Sequence, residues 1–103
     1  MNNQFCSCQL DDTPKLLPPS NPPSLPSTFA TPMPIAQMRL WMCNCLGRWG
    51  YLRLYIPGTF GRDLWFFPTE VRRCDVSGYT WQNGSRFKVT YHYKQISNYM
   101  CFA

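Results

Sequence analysis

Three features of the sequence predict an all-β fold, a small five-stranded antiparallel Greek-key barrel carried behind an N-terminal arm. Residues 48–69 read as two strands joined by a turn, because apolar and polar or aromatic positions alternate strictly in both halves. No segment after residue 35 has convincing helical period, while 15 aromatic residues fall between positions 36 and 103, a composition that suits strands. The prolines are segregated: eight lie between Pro14 and Pro34.

The arm comes first in the chain. Residues 1–13 are polar, carry Cys6-Ser7-Cys8 and predict no stable element. Eight prolines in the next 21 residues remove backbone donors and bias the chain to extended polyproline conformations, which excludes a helix or an interior strand. Residues 1–35 are therefore expected to be a flexible arm, disordered or extended, and residues 36–103 the folded domain. A spacer is the commoner role for such a tract; the alternatives are a ligand for a proline-recognising domain or a strap that orders against an assembly.

Within the domain, Gln37 to Asn44 reads as a first strand, with Leu40 and Met42 on one face and Arg39, Trp41 and Cys43 on the other. A turn at Cys45-Leu46-Gly47 leads to the central hairpin, whose own turn is Gly58–Gly61. A period of two puts Leu52, Leu54, Ile56, Leu64 and Phe66 on one face. Trp49, Tyr51, Arg53, Tyr55, Trp65 and Phe67 fall on the other. Asp75 to Gly84 reads as a loop bearing Tyr79 and Trp81. Arg86 to Lys94 alternates as a fourth strand, and Gln95 to Ala103 reads as a fifth.

Such a hairpin has an aliphatic underside and an aromatic upper face. Exposed, that face would be a binding platform, since contiguous apolar surface is costly in water; buried, it would be one side of a sandwich core. Alternation alone leaves both open. Charge adds a second signal. The chain carries a formal +5, and residues 36–103 hold nine of its ten basic residues against Asp63, Glu70 and Asp75, a net of +6. Aromatic rings interleaved with arginine suit unpaired bases, each stack contributing about 1–3 kcal/mol, and basic charge suits their phosphates. The same excess also serves to keep an apolar domain in solution.

Several motifs then resemble cold-shock domains of the oligonucleotide-binding (OB) fold. Gly47-Arg48-Trp49-Gly50-Tyr51-Leu52 is similar to that family's first ribonucleoprotein motif, and Asp63-Leu64-Trp65-Phe66-Phe67-Pro68-Thr69 to its second. Leu40-Trp41-Met42, Gly84-Ser85-Arg86-Phe87-Lys88-Val89 and Gln95-Ile96-Ser97-Asn98-Tyr99 follow the family's order over residues 37 to about 100. The resemblance implies base stacking by Trp41, Trp49, Tyr51, Trp65 and Phe67, with Tyr79 or Trp81 at the platform's edge. Arg39, Arg48, Arg53, Arg62 and Lys88 are the candidate phosphate contacts. The chain departs from the pattern at Arg48, where the family has glycine, and at Phe67, where it has histidine, so hydrogen-bonding groups that read base edges are fewer.

The expected partner is single-stranded RNA or DNA. The alternative is a structural subunit of a larger, ribonucleoprotein-like assembly, with the same face and the arm making protein contacts. No enzyme, cofactor or metal is expected. His92 sits alone on the Lys88–Lys94 strand face, and the three carboxylates form no acid–base pair. Cys6-x-Cys8 and Cys43-x-Cys45 lack the usual two-to-four-residue spacing of zinc ligands, so free thiols are expected. With no apolar run near the roughly 20 residues of a membrane span and no signal-like N-terminus, the expected compartment is reducing: cytoplasmic, with nuclear or ribonucleoprotein association as alternatives.

Overall fold

A computed structural model describes residues 7–10 and 13–102. Six antiparallel strands and one helix make up the fold: β1 (Cys8–Gln9), α1 (Ile35–Asn44), β2 (Gly50–Gly58), β3 (Gly61–Val71), β4 (Asp75–Gln82), β5 (Ser85–His92) and β6 (Ile96–Cys101). The main path runs β5-β4-β3-β2-β6, with β1 beside the end of β3.

The β2–β3 hairpin forms with the expected faces from Gly50 to Arg53, but its register shifts between Arg53 and Gly58, and Ile56, expected on the aliphatic face, is 80% exposed. Tyr51 lies opposite Trp65, Leu52 opposite Leu64 and Arg53 opposite Asp63. Pro68 sits inside a central strand, a position proline normally avoids. The register shift between Pro68 and Glu70 opens the ladder there, so the missing N–H breaks no continuous pairing.

In the arm, where no stable element is expected, Cys8–Gln9 forms β1 and Ser27–Ala30 a 3-10 turn, and two elements of residues 36–103 also differ from the sequence reading. The expected first strand, Gln37–Asn44, lies wholly within α1 and makes up all but its first two residues. Met38, Met42 and Cys45 recur at i, i+4 and i+7 and are completely buried, so the period that packing uses is helical and not two. Ala36, Gln37, Met38, Arg39 and Leu40 are good helix formers, and Pro34 precedes the first turn, where a missing N–H costs nothing. The expected loop, Asp75–Gln82, is β4. Its hairpin to β5 turns at Asn83-Gly84, both at positive φ (53° and 80°), the pairing that a two-residue turn favours. Gly78 is required inside β4, because a Cβ there would lie 2.2 Å from the Phe67 carbonyl oxygen.

The sheet is strongly curled. From His92 to Ile96 the chain can span at most about 14 Å. A flat sheet would put four strand spacings, roughly 19 Å, between β5 and β6. Curling closes that gap around Leu52, Leu54, Leu64, Phe66, Val76, Ile96 and Tyr99, which form one cluster with Met38 and Met42 of α1. Phe66 reaches Tyr91 of β5 and Tyr99 of β6 across the curl, at ring-centroid distances of 6.2 and 6.4 Å. β5 and β6 nevertheless remain edges, so the sheet is open where the sequence predicts a closed barrel. The β6 side is instead covered by α1 and by the segment before it, through Met33 N–H donating to the Ser97 carbonyl at 2.9 Å.

Two disulfides staple the fold, Cys8–Cys43 and Cys45–Cys101. They correct the expectation of free thiols. The first ties the arm to α1 and the second ties the end of α1 to β6. Cys74 is an exposed free thiol, and Cys6 lies outside the described residues.

Candidate binding face of the sheet

Alternation places Trp49, Tyr51, Arg53, Trp65 and Phe67 on the face opposite the core, as the sequence predicts. Their rings pack edge to face: Trp49 with Phe67 at 5.3 Å, Tyr51 with Trp65 at 5.0 Å and Trp65 with Phe102 at 5.6 Å. Trp49, Tyr51 and Phe67 are only 3%, 8% and 5% exposed, so this central part of the face offers no open ring to a base.

What covers it is the proline-rich arm. The Trp49 indole N–H donates to the Leu16 carbonyl at 2.8 Å. Pro18, which is buried, follows, and Pro18, Pro19 and Pro22 line a cleft with Tyr51, Trp65 and Trp81. Farther along, Phe29 is 3% exposed, with the Arg53 guanidinium 5.0 Å from its ring centre. The Asn98 amide donates to the carbonyls of Phe29 at 3.1 Å and Thr31 at 2.7 Å. The segment has no strand over residues 13–34, as its composition predicts, but it bends at Leu16, Ser20 and Asn21. Against the expectation that prolines exclude a helix, it makes a short 3-10 turn at Ser27–Ala30, where no proline interrupts, and it lies along the sheet as a strap. Leu16, Pro18, Phe29 and Asn98 were not among the site residues read from the sequence. The signal available for them was the apolar residues of the proline tract, Phe29 above all, with Leu16, Leu17, Leu25 and Met33.

Arg39 and Trp41 do not join this face, because they belong to α1. Arg39 donates to the Arg73 carbonyl at 3.1 Å and lies 5.9 Å from the centre of the Tyr93 ring. Trp41 stands partly exposed over the β6 side, lining a crevice with Arg48 and Phe102. Arg48 donates to the Asn44 carbonyl at 2.7 Å, at the end of α1 where carbonyls lack intrahelical partners. Arg62 donates to the Leu54 carbonyl at 3.1 Å.

The charges fall into two groups. Arg53 forms a two-pronged pair with Asp63, at 2.8 and 3.0 Å, and that hydrogen-bonded carboxylate raises the arginine's pKa further. Arg72 binds Asp75, Glu70 and the Ser77 hydroxyl, which likewise raises its pKa. These two arginines hold all three carboxylates of the domain. Arg62, Arg73, Arg86, Lys88 and Lys94 form no salt bridge among the described residues.

Beyond the strap, the β4–β5 pairing sets Trp81 opposite Arg86 and Tyr79 opposite Lys88. Both aromatic residues are half-buried and both cations exposed, and Phe67 lies opposite Tyr79 on β3. Tyr79, Trp81 and Lys88 thus come together as a strip with Arg86, which the sequence reading left out although its alternation puts it on the Lys88 side.

His92 caps the short turn after β5. Its ring Nδ1 accepts from Lys94 N–H at 3.5 Å, and its own N–H donates to the Gln95 side chain at 2.8 Å. Burial pushes the phenols of Tyr93 and Tyr99 well above their ordinary pKa, so both stay neutral; the Tyr93 hydroxyl donates to the Arg72 carbonyl. Among the described residues no helix is long and apolar enough to cross a membrane. No family model, curated protein or solved structure matches the chain.

Proposed function

We propose that the protein is a non-catalytic binding module for single-stranded nucleic acid, engaged on the Trp65–Tyr79–Trp81 strip and not on the covered centre of the face. The observation that carries this reading is the cross-strand pairing of Trp81 with Arg86 and Tyr79 with Lys88, on a domain whose carboxylates are all held by Arg53 and Arg72. Half-open rings supply stacking that tolerates many sequences, and the adjacent cations supply a salt-dependent phosphate contact. Kinship with cold-shock OB domains belongs to the same proposal. It is supported by the two ribonucleoprotein-like motifs lying on neighbouring antiparallel strands. The two disulfides favour an oxidising compartment over the reducing cytoplasm.

Anisotropy titration of a labelled single-stranded oligonucleotide against salt tests the reading. Each phosphate contact to a single strand contributes about 0.7 to the slope of log affinity against log salt, so the Arg86→Ala/Lys88→Ala variant should lower that slope by about 1.4. A folded sample that does not bind at low salt, or a double variant with an unchanged slope, overturns it.

A second reading is a structural subunit that works through protein contacts. It is favoured by the seating of the arm on the aromatic face, which makes the arm part of the fold's surface.

A further inference from the structure

The strap is held in two different ways along its length. From Phe29 to Met33 it is fixed by backbone and amide hydrogen bonds, to Asn98 and Ser97. From Leu16 to Pro22 its one hydrogen bond to the sheet is the Trp49 indole donating to the Leu16 carbonyl. The rest of that attachment is apolar: Pro18 is buried, and the exposed Pro19 and Pro22 line a cleft together with Tyr51, Trp65 and Trp81.

This is the chemistry by which proteins recognise a polyproline-II peptide. Such a helix has no internal hydrogen bonds, so its carbonyls are open to a donor, and it is stiff before it binds, so little conformational entropy is lost. An indole N–H aimed at a carbonyl, with flat rings for the pyrrolidines, meets both properties. The groove is therefore built for an occupant rather than merely covered by one. The occupant seen here is tethered on one side by the Cys8–Cys43 disulfide and on the other by Phe29, which keeps it near the groove at high effective concentration.

We propose that the cleft lined by Tyr51, Trp65 and Trp81, with the adjoining pocket lined by Trp49 and Phe67, is a recognition site for a proline-rich, polyproline-II peptide of another protein, and that Leu16–Pro22 masks it in cis. A trans peptide gains access when the strap's proline segment leaves while the Phe29–Met33 anchor stays. This goes beyond the nucleic-acid reading: the two sites share Trp65 and Trp81, but the groove adds Trp49, Tyr51 and Phe67 and the strip adds Tyr79, Arg86 and Lys88. The Trp49 variant below and the Arg86/Lys88 variant above therefore test them separately.

The test uses the full chain and a labelled synthetic peptide, Pro-Lys-Leu-Leu-Pro-Pro-Ser-Asn-Pro-Pro, the chain's own sequence from Pro14 to Pro23. The variant Pro18→Gly/Pro19→Gly weakens the cis ligand without touching the groove. The peptide should bind this variant at least tenfold more tightly than the wild type, and its all-alanine counterpart at the proline positions should not bind. Adding Trp49→Phe, which keeps a ring but removes the donor, should lower the variant's affinity. No saturable binding to the folded variant, or equal binding of the proline-free peptide, overturns the proposal. If the variant fails to fold, the wild-type chain decides: millimolar peptide should shift the Trp49 indole proton resonance, and an unmoved resonance overturns the proposal equally.

Discussion

The two faces of the sheet are both covered, but by different kinds of contact. On the inner face, Leu52, Leu64 and Phe66 interlock with Met38 and Met42 of α1, at exposures of 0–5%, with the C-terminal end of the helix stapled by two disulfides. On the outer face, Trp49, Tyr51 and Phe67 are as well buried, yet their cover is a strap attached through one indole, one asparagine and the Met33–Ser97 backbone hydrogen bond, and tethered at its start by Cys8–Cys43. Equal burial thus conceals unequal permanence. An interlocked core opens only with global unfolding, whereas a strap held by few hydrogen bonds can open locally at lower cost.

The sharpest contrast is between adjacent residues of β3. Phe66 is fully buried and touches Tyr91 and Tyr99, so Phe66→Ala should cost about 3–5 kcal/mol of stability. Trp65 is half-buried and packs edge-on against Tyr51 and Phe102, two pairs each contributing about 0.5–1.5 kcal/mol. Thermal or urea melts of both variants should therefore rank Phe66→Ala well below Trp65→Ala. The reverse order would mean that the strand presents the opposite faces.

A smaller effect is expected at the strap's anchor. Asn98→Ala removes the donor to the Phe29 and Thr31 carbonyls, and leaving buried partners unmatched costs about 1–3 kcal/mol. The loss should be local: faster proteolysis between Leu16 and Phe29, with the melting of the sheet little changed. A variant that melts cooperatively lower, with no gain in cleavage of the strap, would show that the outer cover is as much a part of the cooperative fold as the inner one.

How much of this was legible in the sequence follows from the range of each signal. The faces of the β2–β3 hairpin were legible as far as Arg53 and Leu54, because alternation and a glycine-bounded turn are local; beyond them the register shift, which no local pattern announces, leaves Ile56 exposed. Helix α1 was misread because Arg39 to Cys43 is too short to separate a period of two from the spacing of Met38, Met42 and Cys45. Strand β4 was hidden by Ser77 and Gly78, which read as loop residues, although Asn83-Gly84 carried the hairpin signal. The disulfides pair cysteines 35 and 56 residues apart, and no local spacing encodes that. The candidate face was placed correctly, but not its cover. Proline composition dictates an extended segment; where that segment lies depends on a single indole and a single asparagine far along the chain.

The account rests on the strap being seated on the aromatic face, and exchange of the tryptophan indole protons measures this most directly. The Trp49 indole proton, buried and donated to the Leu16 carbonyl, should exchange with solvent far more slowly than that of the partly exposed Trp41. Asn98→Ala should speed exchange at Trp49 and leave Trp41 unchanged. Exchange at Trp49 as fast as at Trp41 in the wild-type chain would mean that the face is open, and both the restriction of binding to the outer strip and the masked groove would have to be abandoned.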